Sequence, residues 1–157
     1  RDNKEGFDIV IGNPPYVVIG RTDEFKYIYD NKFVVANGGK RNLYHLFFEQ
    51  GINILKDNGI LSFITPDTYF GGNDTTSLRK LLVENTYIRS IIHYSEKDKI
   101  FDNVTQALAV IVLLKQNPGG DFIILDSGKH NLIEYKNLTC KTKYVFKSSN
   151  AVIEKIK

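Results

Sequence analysis

The sequence predicts an α/β fold, and two features of its pattern indicate this class. Short apolar segments typical of buried strands alternate with longer segments whose apolar residues recur at helical spacing. Residues that favour turns, mainly Gly, Asn and Pro, separate these segments. The 157 residues, of which 42% are hydrophobic, suit one domain with a sizeable core.

Five segments are predicted to be strands of one sheet. The first, Phe7 to Gly12, is expected to be a buried parallel strand that leads into a loop. Ala107 to Leu114 is apolar throughout and is therefore predicted to be fully buried. Because helices alternate with the strands, ligands are expected at the carboxyl ends of the strands. The other predicted strands are Ile60 to Ile64, Ile88 to Tyr94 and Phe122 to Leu125.

Two helices are predicted between these strands. Asn42 can cap the first, which Lys56 and Gly59 would close, and whose apolar face carries Leu43, Leu46, Phe47, Ile54 and Leu55. Asp74 can cap the second, whose apolar face carries Leu78, Leu81 and Leu82. Arg21 to Arg41 has no clear period and is predicted to be a long loop, a kind of segment that is often functional.

The composition narrows the classes of function. A net charge of +3 permits a nucleic-acid partner without requiring one. The longest apolar run is far shorter than the ~20 residues needed to cross a bilayer, so no membrane association is expected. The single cysteine, Cys140, cannot build a disulfide framework, and the first residues do not resemble a secretion signal. We therefore expect a cytoplasmic protein.

The histidines do not indicate a metal site. His45, His93 and His130 are scattered, and no motif places them with Cys or Glu at the spacing of metal ligands. We expect no metal ion and structural roles for all three side chains.

The tetrapeptide Asn13-Pro14-Pro15-Tyr16 is the feature that most suggests chemistry. Pro15 favours an extended Pro14, so the Pro14 carbonyl can point outward beside the Asn13 carboxamide oxygen. These two acceptors can take both hydrogens of an exocyclic amine, and Tyr16 offers an aromatic face to the ring that bears the amine. The alternative is a stiff turn, since two prolines fix φ and Asn tolerates unusual backbone conformations.

Further segments follow this tetrapeptide in a characteristic order and spacing. From Phe7 to Lys115, they are Phe7-Asp-Ile-Val-Ile-Gly-Asn-Pro-Pro-Tyr16, Asn42-Leu-Tyr44, Phe48-Glu49, Leu55-Lys56, Gly59-Ile-Leu-Ser-Phe-Ile-Thr-Pro66, Leu78-Arg79 and Ile100-Phe101. In these segments the chain resembles the adenine-N6 DNA methyltransferases, and in particular the catalytic half of methylases from fused restriction–modification enzymes.

The resemblance implies a fold, a reaction and a set of site residues. The fold is the C-terminal half of a Rossmann-like class I methyltransferase sheet, mostly parallel, with Ala107 to Leu114 as its one antiparallel strand. The reaction is methyl transfer from S-adenosylmethionine to the N6 amine of an adenine flipped out of double-stranded DNA. The implied catalytic residues are Asn13, Pro14 and Tyr16; the implied base-stacking residues are Tyr16 and Phe101; and the implied cofactor-binding residues are Asn13 and Pro15.

The resemblance also implies a division of the chain. Residues 1–116 would be a partial catalytic subdomain whose cofactor half lies before Arg1, and residues 117–157 a linker or tail leading toward a DNA-recognition domain. The tail would end in the start of a helix at 149–157. The strand Phe7 to Ile11 would then lack a neighbour, which favours self-association through an exposed sheet edge. We expect the chain alone to show neither methylation nor detectable cofactor binding.

Basic residues interleaved with tyrosines give the long loop a possible role in DNA binding. We predict contacts with the DNA backbone from Arg21, Lys26, Lys32, Lys40 and Arg41. The alternative is a solvated loop with no ligand.

Three other functions fit parts of the sequence. The same tetrapeptide occurs in enzymes that methylate a protein glutamine or an RNA amine. A metal-dependent nuclease could use Asp8 with Glu24-Phe25-Lys26, and a non-catalytic module could present Pro14-Pro15 to an aromatic groove. The segments from Asn42 to Pro66 and at Phe101 favour a DNA methyltransferase.

Overall fold

The computed structural model describes residues 5–20, 32–36, 42–102 and 104–146. In these residues the strands are β1 (Phe7–Gly12), β2 (Leu55–Pro66), β3 (Tyr87–Tyr94), β4 (Leu108–Leu114), β5 (Phe122–Asp126) and β6 (Lys129–Ile133), and the helices are α1 (Leu43–Ile54) and α2 (Thr76–Asn85). Short 3₁₀ turns lie at Val34–Ala36, Asp67–Tyr69, Asn73–Thr75, Glu96–Asp98 and Tyr135–Asn137. No helix in these ranges is long and apolar enough to cross a membrane.

The strands form one sheet in the order β1-β2-β4-β3-β5-β6. β1 pairs with β2, and β3 with β5, in parallel, whereas β4 lies antiparallel between β2 and β3. The predicted α/β fold and its antiparallel strand are therefore confirmed. The hairpin strand β6 adds a second antiparallel strand that the sequence did not predict. Its two-residue turn, Ser127-Gly128, has positive φ at both positions, the conformation that joins tightly paired antiparallel strands.

Both helices pack on one face of the sheet. Leu61 and Phe63 of β2, with Ile111 and Leu113 of β4, lie in one buried cluster that also contains side chains of α1 and α2, among them Phe48, Ile52, Leu78 and Leu82. Gly51 brings α1 close to β2, since a Cβ there would lie 2.6 Å from the side chain of Leu61. This cluster is the core, and it positions the loops at the strand ends.

The opposite face of the sheet is apolar but only partly shielded in the described part of the chain. β4 alternates between fully buried side chains and the half-buried side chains of Val110, Val112 and Leu114. The prediction that this segment is buried throughout was therefore wrong. The reason is that both described helices cover the same face, so alternate residues of β4 keep contact with solvent.

β1 also differs from its prediction. It is the outermost strand of the described sheet, and Phe7, Ile9 and Ile11 are 60%, 63% and 79% exposed. The prediction of a parallel strand is confirmed, but the prediction that the strand is buried was wrong. Only Val10 packs against the core, because its side chain points to the face that the helices cover.

The helix boundaries follow the predictions in part. The side chain of Asn42 accepts a hydrogen bond from the Tyr44 N–H at 3.4 Å, which confirms it as the N-cap of α1. The predicted closure at Lys56 and Gly59 was wrong: α1 ends at Ile54, because the next residue already pairs with Phe7 of β1. Asp74 lies in a 3₁₀ turn, and the N-cap of α2 is the following residue, Thr75.

The part of the predicted tail that the structure describes packs on the sheet and core. β5 pairs with β3, and the buried cluster includes Phe122, Ile133, Leu138, Tyr144 and Phe146. The Phe146 N–H donates to the Phe70 carbonyl at 3.0 Å. A role of this segment in leading to a recognition domain stays a prediction, and the helix predicted at 149–157 lies outside the described residues.

Arg79 joins the tail to the loop that follows β2. The side chain is fully buried, and it donates five hydrogen bonds, to Tyr69 O, Gly72 O, Lys143 O, and the hydroxyls of Thr75 and Thr76. These acceptors lie on three segments: the 69–72 loop, the start of α2, and the tail. Two of them, Tyr69 O and the Thr75 hydroxyl, are in buried hydrogen bonds and would lose this donor if the guanidinium were removed.

We predict that Arg79→Ala lowers the free energy of unfolding by about 2 kcal/mol or more, since the buried acceptors Tyr69 O and Thr75 Oγ1 lose a donor at roughly 1 kcal/mol or more each. Urea denaturation measures the loss. The matched control is Lys80→Ala on the next residue, which is exposed and only loosely paired with Glu84, and should change stability by less than about 0.5 kcal/mol. Equal effects of the two substitutions would contradict a special role for Arg79.

The open edge of β1 leads to a second prediction. At about 1 mM, the chain should self-associate through this strand, because within the described ranges no strand pairs with the outer edge of β1, and such an edge beside apolar side chains invites another strand. Ile9→Lys should shift the chain toward monomer in analytical ultracentrifugation. Val34→Lys is the control, since Val34 is similarly exposed at 59% and lies outside the sheet. Unchanged association in Ile9→Lys would show that β1 is not the contact.

Candidate functional site

The candidate residues lie where the parallel strands end. β1, β2, β3 and β5 run in the same direction, and we call the side of the sheet at which they finish the carboxyl edge. Asn13 to Tyr16 follows β1 at this edge. The connection from β3 to β4 lies there as well, because Leu108 at the start of β4 pairs with Pro66 and Tyr94. Phe101 belongs to that connection, so it shares the carboxyl edge with Asn13.

The tetrapeptide presents alternating side chains to solvent. Asn13 and Pro15 are exposed, whereas Pro14 is buried and Tyr16 is half-buried. The residue before them, Gly12, pairs with Phe63 of β2, so the end of β1 is held by the ladder up to the tetrapeptide. The Asn13 carboxamide is thereby presented to solvent by a strand whose position the sheet determines.

Tyr16 is held by two contacts. Its hydroxyl donates to the Ile64 carbonyl at 3.0 Å, and its ring meets Tyr44 edge-on, with centroids 6.4 Å apart. Burial raises the pKa of Tyr16, so the hydroxyl stays protonated at neutral pH. Since the hydroxyl is engaged by β2, the ring is the part of Tyr16 that remains for a ligand.

Tyr44 extends this contact to the turn after β2. It is buried, and its hydroxyl lies 3.0 Å from the Thr68 hydroxyl. Burial, the largest effect, raises the pKa of Tyr44 to about 12, and the charge of Asp67 acts in the same direction. A cavity of about 310 Å³ opens beside it, lined by residues that include Val18, Asn42, Pro66, Thr68 and Gln106.

Phe101 is 38% exposed. It lies in a turn in which its carbonyl accepts from the Val104 N–H at 3.2 Å. Its position at the carboxyl edge agrees with a role near Tyr16, whereas stacking on a base is a role that remains a prediction.

The base of the long loop is closed by paired backbone. Val18 and Asn42 form an antiparallel bridge, and the Leu43 N–H donates to the Val17 carbonyl at 2.9 Å. Of the predicted DNA-backbone residues, Lys32 is described and exposed, whereas Arg21, Lys26, Lys40 and Arg41 lie outside the described residues.

Glu49 anchors a described part of this loop. Its buried carboxylate accepts from the Val34 N–H at 3.0 Å and from the Val35 N–H at 2.9 Å. Glu49 belongs to the segments that carry the resemblance, which implies no role for it. The predicted apolar face of this helix, with Leu43, Leu46 and Phe47, pointed away from Glu49; the structure instead buries Glu49 together with Phe48 and Ile52.

The described ranges contain no group of three or more His, Cys, Asp and Glu side chains arranged to hold a metal ion. His45 is buried beside Tyr44, and burial lowers the pKa of His45 to about 4, so its ring is neutral at physiological pH. His130 is exposed on β6.

Comparison with known proteins identifies the family. The family described as Eco57I restriction-modification methylase matches residues 1–101. The chain belongs to this family. The resemblance noted in the sequence is therefore confirmed, and S-adenosylmethionine is the cofactor expected for such a methylase.

Relatives and solved structures agree with this assignment. Over 115 residues the chain is 32% identical to the type II restriction enzyme and methyltransferase RM.Eco57I of Escherichia coli, covering 71% of this chain and 11% of the relative. The fold matches a type I restriction-modification methyltransferase subunit from Streptococcus thermophilus with a TM-score of 0.68 at 22% identity, over 92% of this chain and 38% of the other.

A Listeria monocytogenes protein assigned to the class I S-adenosylmethionine-dependent methyltransferases matches with a TM-score of 0.61 at 24% identity, over 79% of this chain and 38% of the other. The methylase chain thus spans well under half the length of these proteins. It shares the α/β architecture of the class, while the activity of the whole protein is a matter for proposal.

We predict that Glu49→Gln loosens the loop anchor of this methylase, because a carboxamide has one acceptor oxygen for two N–H donors. The free energy of unfolding should fall by about 1–3 kcal/mol, and amide hydrogen exchange at Val34 and Val35 should quicken. The control is Gln50→Ala on the next, exposed residue, with an expected change within about 0.5 kcal/mol. Unchanged exchange at both amides in Glu49→Gln would refute the anchor.

Proposed function

We propose that this chain forms the methyl-acceptor side of a DNA methyltransferase that modifies the N6 amine of a flipped-out adenine in a restriction–modification system. The observation that carries the proposal is the placement of the tetrapeptide. Asn13 is exposed at the carboxyl end of β1, directly beside Pro14 and close in sequence to Tyr16, whose ring is held by β2 and Tyr44.

The amine-binding step follows from the acceptors. The Asn13 side-chain oxygen and the Pro14 carbonyl would each accept one hydrogen of the adenine amine, which draws the nitrogen lone pair out of conjugation with the ring. Such acceptors are effective because the strand holds them in place before the substrate arrives. Only an extrahelical adenine can reach them, since its amine is paired inside the duplex.

The transfer itself is a direct displacement. S-adenosylmethionine supplies the electrophilic methyl group when it is bound. The amine nitrogen, held by Asn13 and the Pro14 carbonyl, would take the methyl group in exchange for the methyl–sulfur bond, whose electron pair would stay on sulfur, and would then lose one proton to water. Asn13 and Pro15, which are exposed beside the open edge of β1, are the residues of this chain that fit a cofactor contact.

Stacking would hold the base during this step. Tyr16 would cover one face of the adenine and Phe101 the other, with a gap of about 7 Å between the rings, twice the usual carbon–carbon contact. Base–aromatic stacking contributes about 1–3 kcal/mol per base. That contribution is comparable to the few kcal/mol that unstacking a base costs.

Double-stranded DNA is the proposed partner, and Lys32 is the described residue on the loop proposed to hold its phosphates. Arg21, Lys26, Lys40 and Arg41 complete the proposed set. Residues 117–157 would connect this subdomain to a recognition domain. Self-association through β1 is proposed for the chain on its own.

The same tetrapeptide would also serve a protein-glutamine or RNA-amine methyltransferase, the second candidate. DNA is favoured by the family, whose curated relatives include several type II methyltransferases. The nuclease alternative is weakened by Asp8. Its carboxylate accepts from Lys56 at 3.1 Å and lies near the start of β1, away from the carboxyl edge.

We predict that Asn13→Ala in the complete protein lowers turnover roughly 10²-fold or more, as removal of a preorganised polar group at a reacting centre does. DNA binding should remain largely intact. The assay follows labelled methyl transfer to duplex DNA, with RNA and protein as competing acceptors. Asn117→Ala, an exposed Asn after β4 and thus away from the carboxyl edge, is the control. Parallel loss of turnover and DNA binding would mean that Asn13 is structural.

A further inference from the structure

His93 lies between two carboxylates at the carboxyl edge. Its Nε2 is 3.0 Å from Asp67 Oδ2, and its Nδ1 is 3.1 Å from Asp126 Oδ1. The three residues come from the ends of β2, β3 and β5: Asp67 directly follows β2, His93 is the penultimate residue of β3, and Asp126 is the last residue of β5. The imidazole side chain is only 17% exposed, whereas the two carboxylates are 30% and 43% exposed.

Both hydrogen bonds require a protonated ring. Ionised carboxylates only accept hydrogen bonds, and a neutral imidazole donates through one nitrogen alone. The imidazolium donates through both. Burial lowers the pKa of His93, but the hydrogen bonds and charges of Asp126 and Asp67 outweigh burial and raise the pKa of His93 above its usual range.

Few other polar side chains line the cavity beside the ring in the described part of the chain. A cavity of about 260 Å³ beside it is lined by both carboxylates and by Phe70, Ile124, Asn131, Ile133 and Phe146. Asp67 and Asp126 are therefore the charged groups that face His93 among these lining residues. Phe70 contributes a tilted ring contact, with centroids 5.8 Å apart.

Asp67 connects this cluster to the candidate site. It begins the 3₁₀ turn Asp67–Tyr69, and its N–H donates to the Ala107 carbonyl at 3.3 Å, next to the start of β4. The following residue, Thr68, lies in hydrogen-bond contact with the Tyr44 hydroxyl, and the Tyr44 ring touches Tyr16. A movement of Asp67 would thus shift Thr68, and the Thr68–Tyr44 and Tyr44–Tyr16 contacts would transmit the shift to Tyr16.

We propose that His93 is a positioning residue of the methyl-transfer site, in which the charged ring clamps Asp67 and Asp126 together and so holds the Asp67–Tyr69 turn against Tyr44 and Tyr16. The inference rests on the proposed function. Loss of the ring proton leaves one donor for two carboxylates, so the ring no longer joins Asp67 to Asp126. Methyl transfer should therefore decline as the pH rises through the titration of His93.

Overall stability is a poor readout for this effect, because two histidines act in opposite directions. His93 has a raised pKa, so its contribution is complete below about pH 6.5, the usual value for His, and is lost as the pH rises through the folded-state pKa. His45, with its pKa lowered to about 4, contributes stability above about pH 6.5 that is lost as the pH falls toward 4. A residue-specific measurement separates the two.

The test is an NMR titration of the 157-residue chain, in which the ring signals of His93, Tyr16 and Tyr44 are followed from about pH 5 to about pH 9, the range in which histidine titrates. We expect His93 to titrate above about pH 6.5 and the tyrosine signals to move with the same midpoint. Asp126→Asn should lower that midpoint for all three residues together. His130→Gln, on an exposed histidine outside the cluster, should change none of them.

Two outcomes would overturn the proposal: a His93 midpoint at or below the usual histidine value, or tyrosine signals that stay constant while His93 titrates. His93→Gln should abolish the tyrosine titration, and the shared shift in Asp126→Asn decides the question if His93→Gln does not fold.

A methylation pH profile of the complete protein separates this inference from the proposed function. A decline in kcat at the His93 midpoint, with KM for DNA little changed and the decline moved to lower pH by Asp126→Asn, supports positioning. A profile that stays flat through the His93 titration contradicts it. Absence of methylation at every pH contradicts the proposed function instead. In that case the titration of the tyrosine signals alone tests whether His93 positions Tyr44 and Tyr16.

Discussion

The buried guanidinium of Arg79 is the interaction on which much of the carboxyl edge depends. Its five hydrogen bonds tie the loop after β2, the start of α2 and the tail at Lys143 to one rigid group. A buried cation is tolerable in the core when its donors find acceptors, and among the described residues backbone carbonyls and hydroxyls accept from this guanidinium. The loop that carries Asp67 and Thr68 is therefore held at its far end by Arg79.

The candidate site is held by hydrogen bonds on the side that faces the core, and it is exposed on the side of β1. Toward the core, Tyr16 is bonded to Ile64, and Tyr44 to Thr68, so the aromatic side chains are held by β2 and the turn that follows it. Toward β1, apolar side chains of Phe7, Ile9 and Ile11 face solvent, and the described helices leave one face of the sheet without cover.

Two charged side chains, Glu49 and His93, hold loops of the site in place. Buried Glu49 uses both oxygens on backbone donors and so fixes the Val34–Ala36 turn to α1. His93 uses both nitrogens on carboxylates and so joins the ends of three strands. In each case a charged group with two hydrogen-bonding atoms connects segments that are distant in sequence, which is what positions loops at the end of a sheet.

The sequence alone determined the local features of this protein. Hydrophobic periodicity located both helices and five of the six strands, although the buried face of α1 carries Phe48 and Ile52, and the predicted Phe47 is exposed. The Asn42 cap and the position of Asn13-Pro14-Pro15-Tyr16 after a strand were predictable from the sequence, since the residues that determine them are neighbours in the chain.

Tertiary structure decided the rest. The exposure of β1 and the packing of both helices on one face follow from how the strands pair. Arg79 connects three segments, and His93 lies between Asp67 and Asp126, through contacts that span 10 to 64 positions of sequence. No local pattern encodes such contacts, because they arise only when the strands pair and bring their ends together.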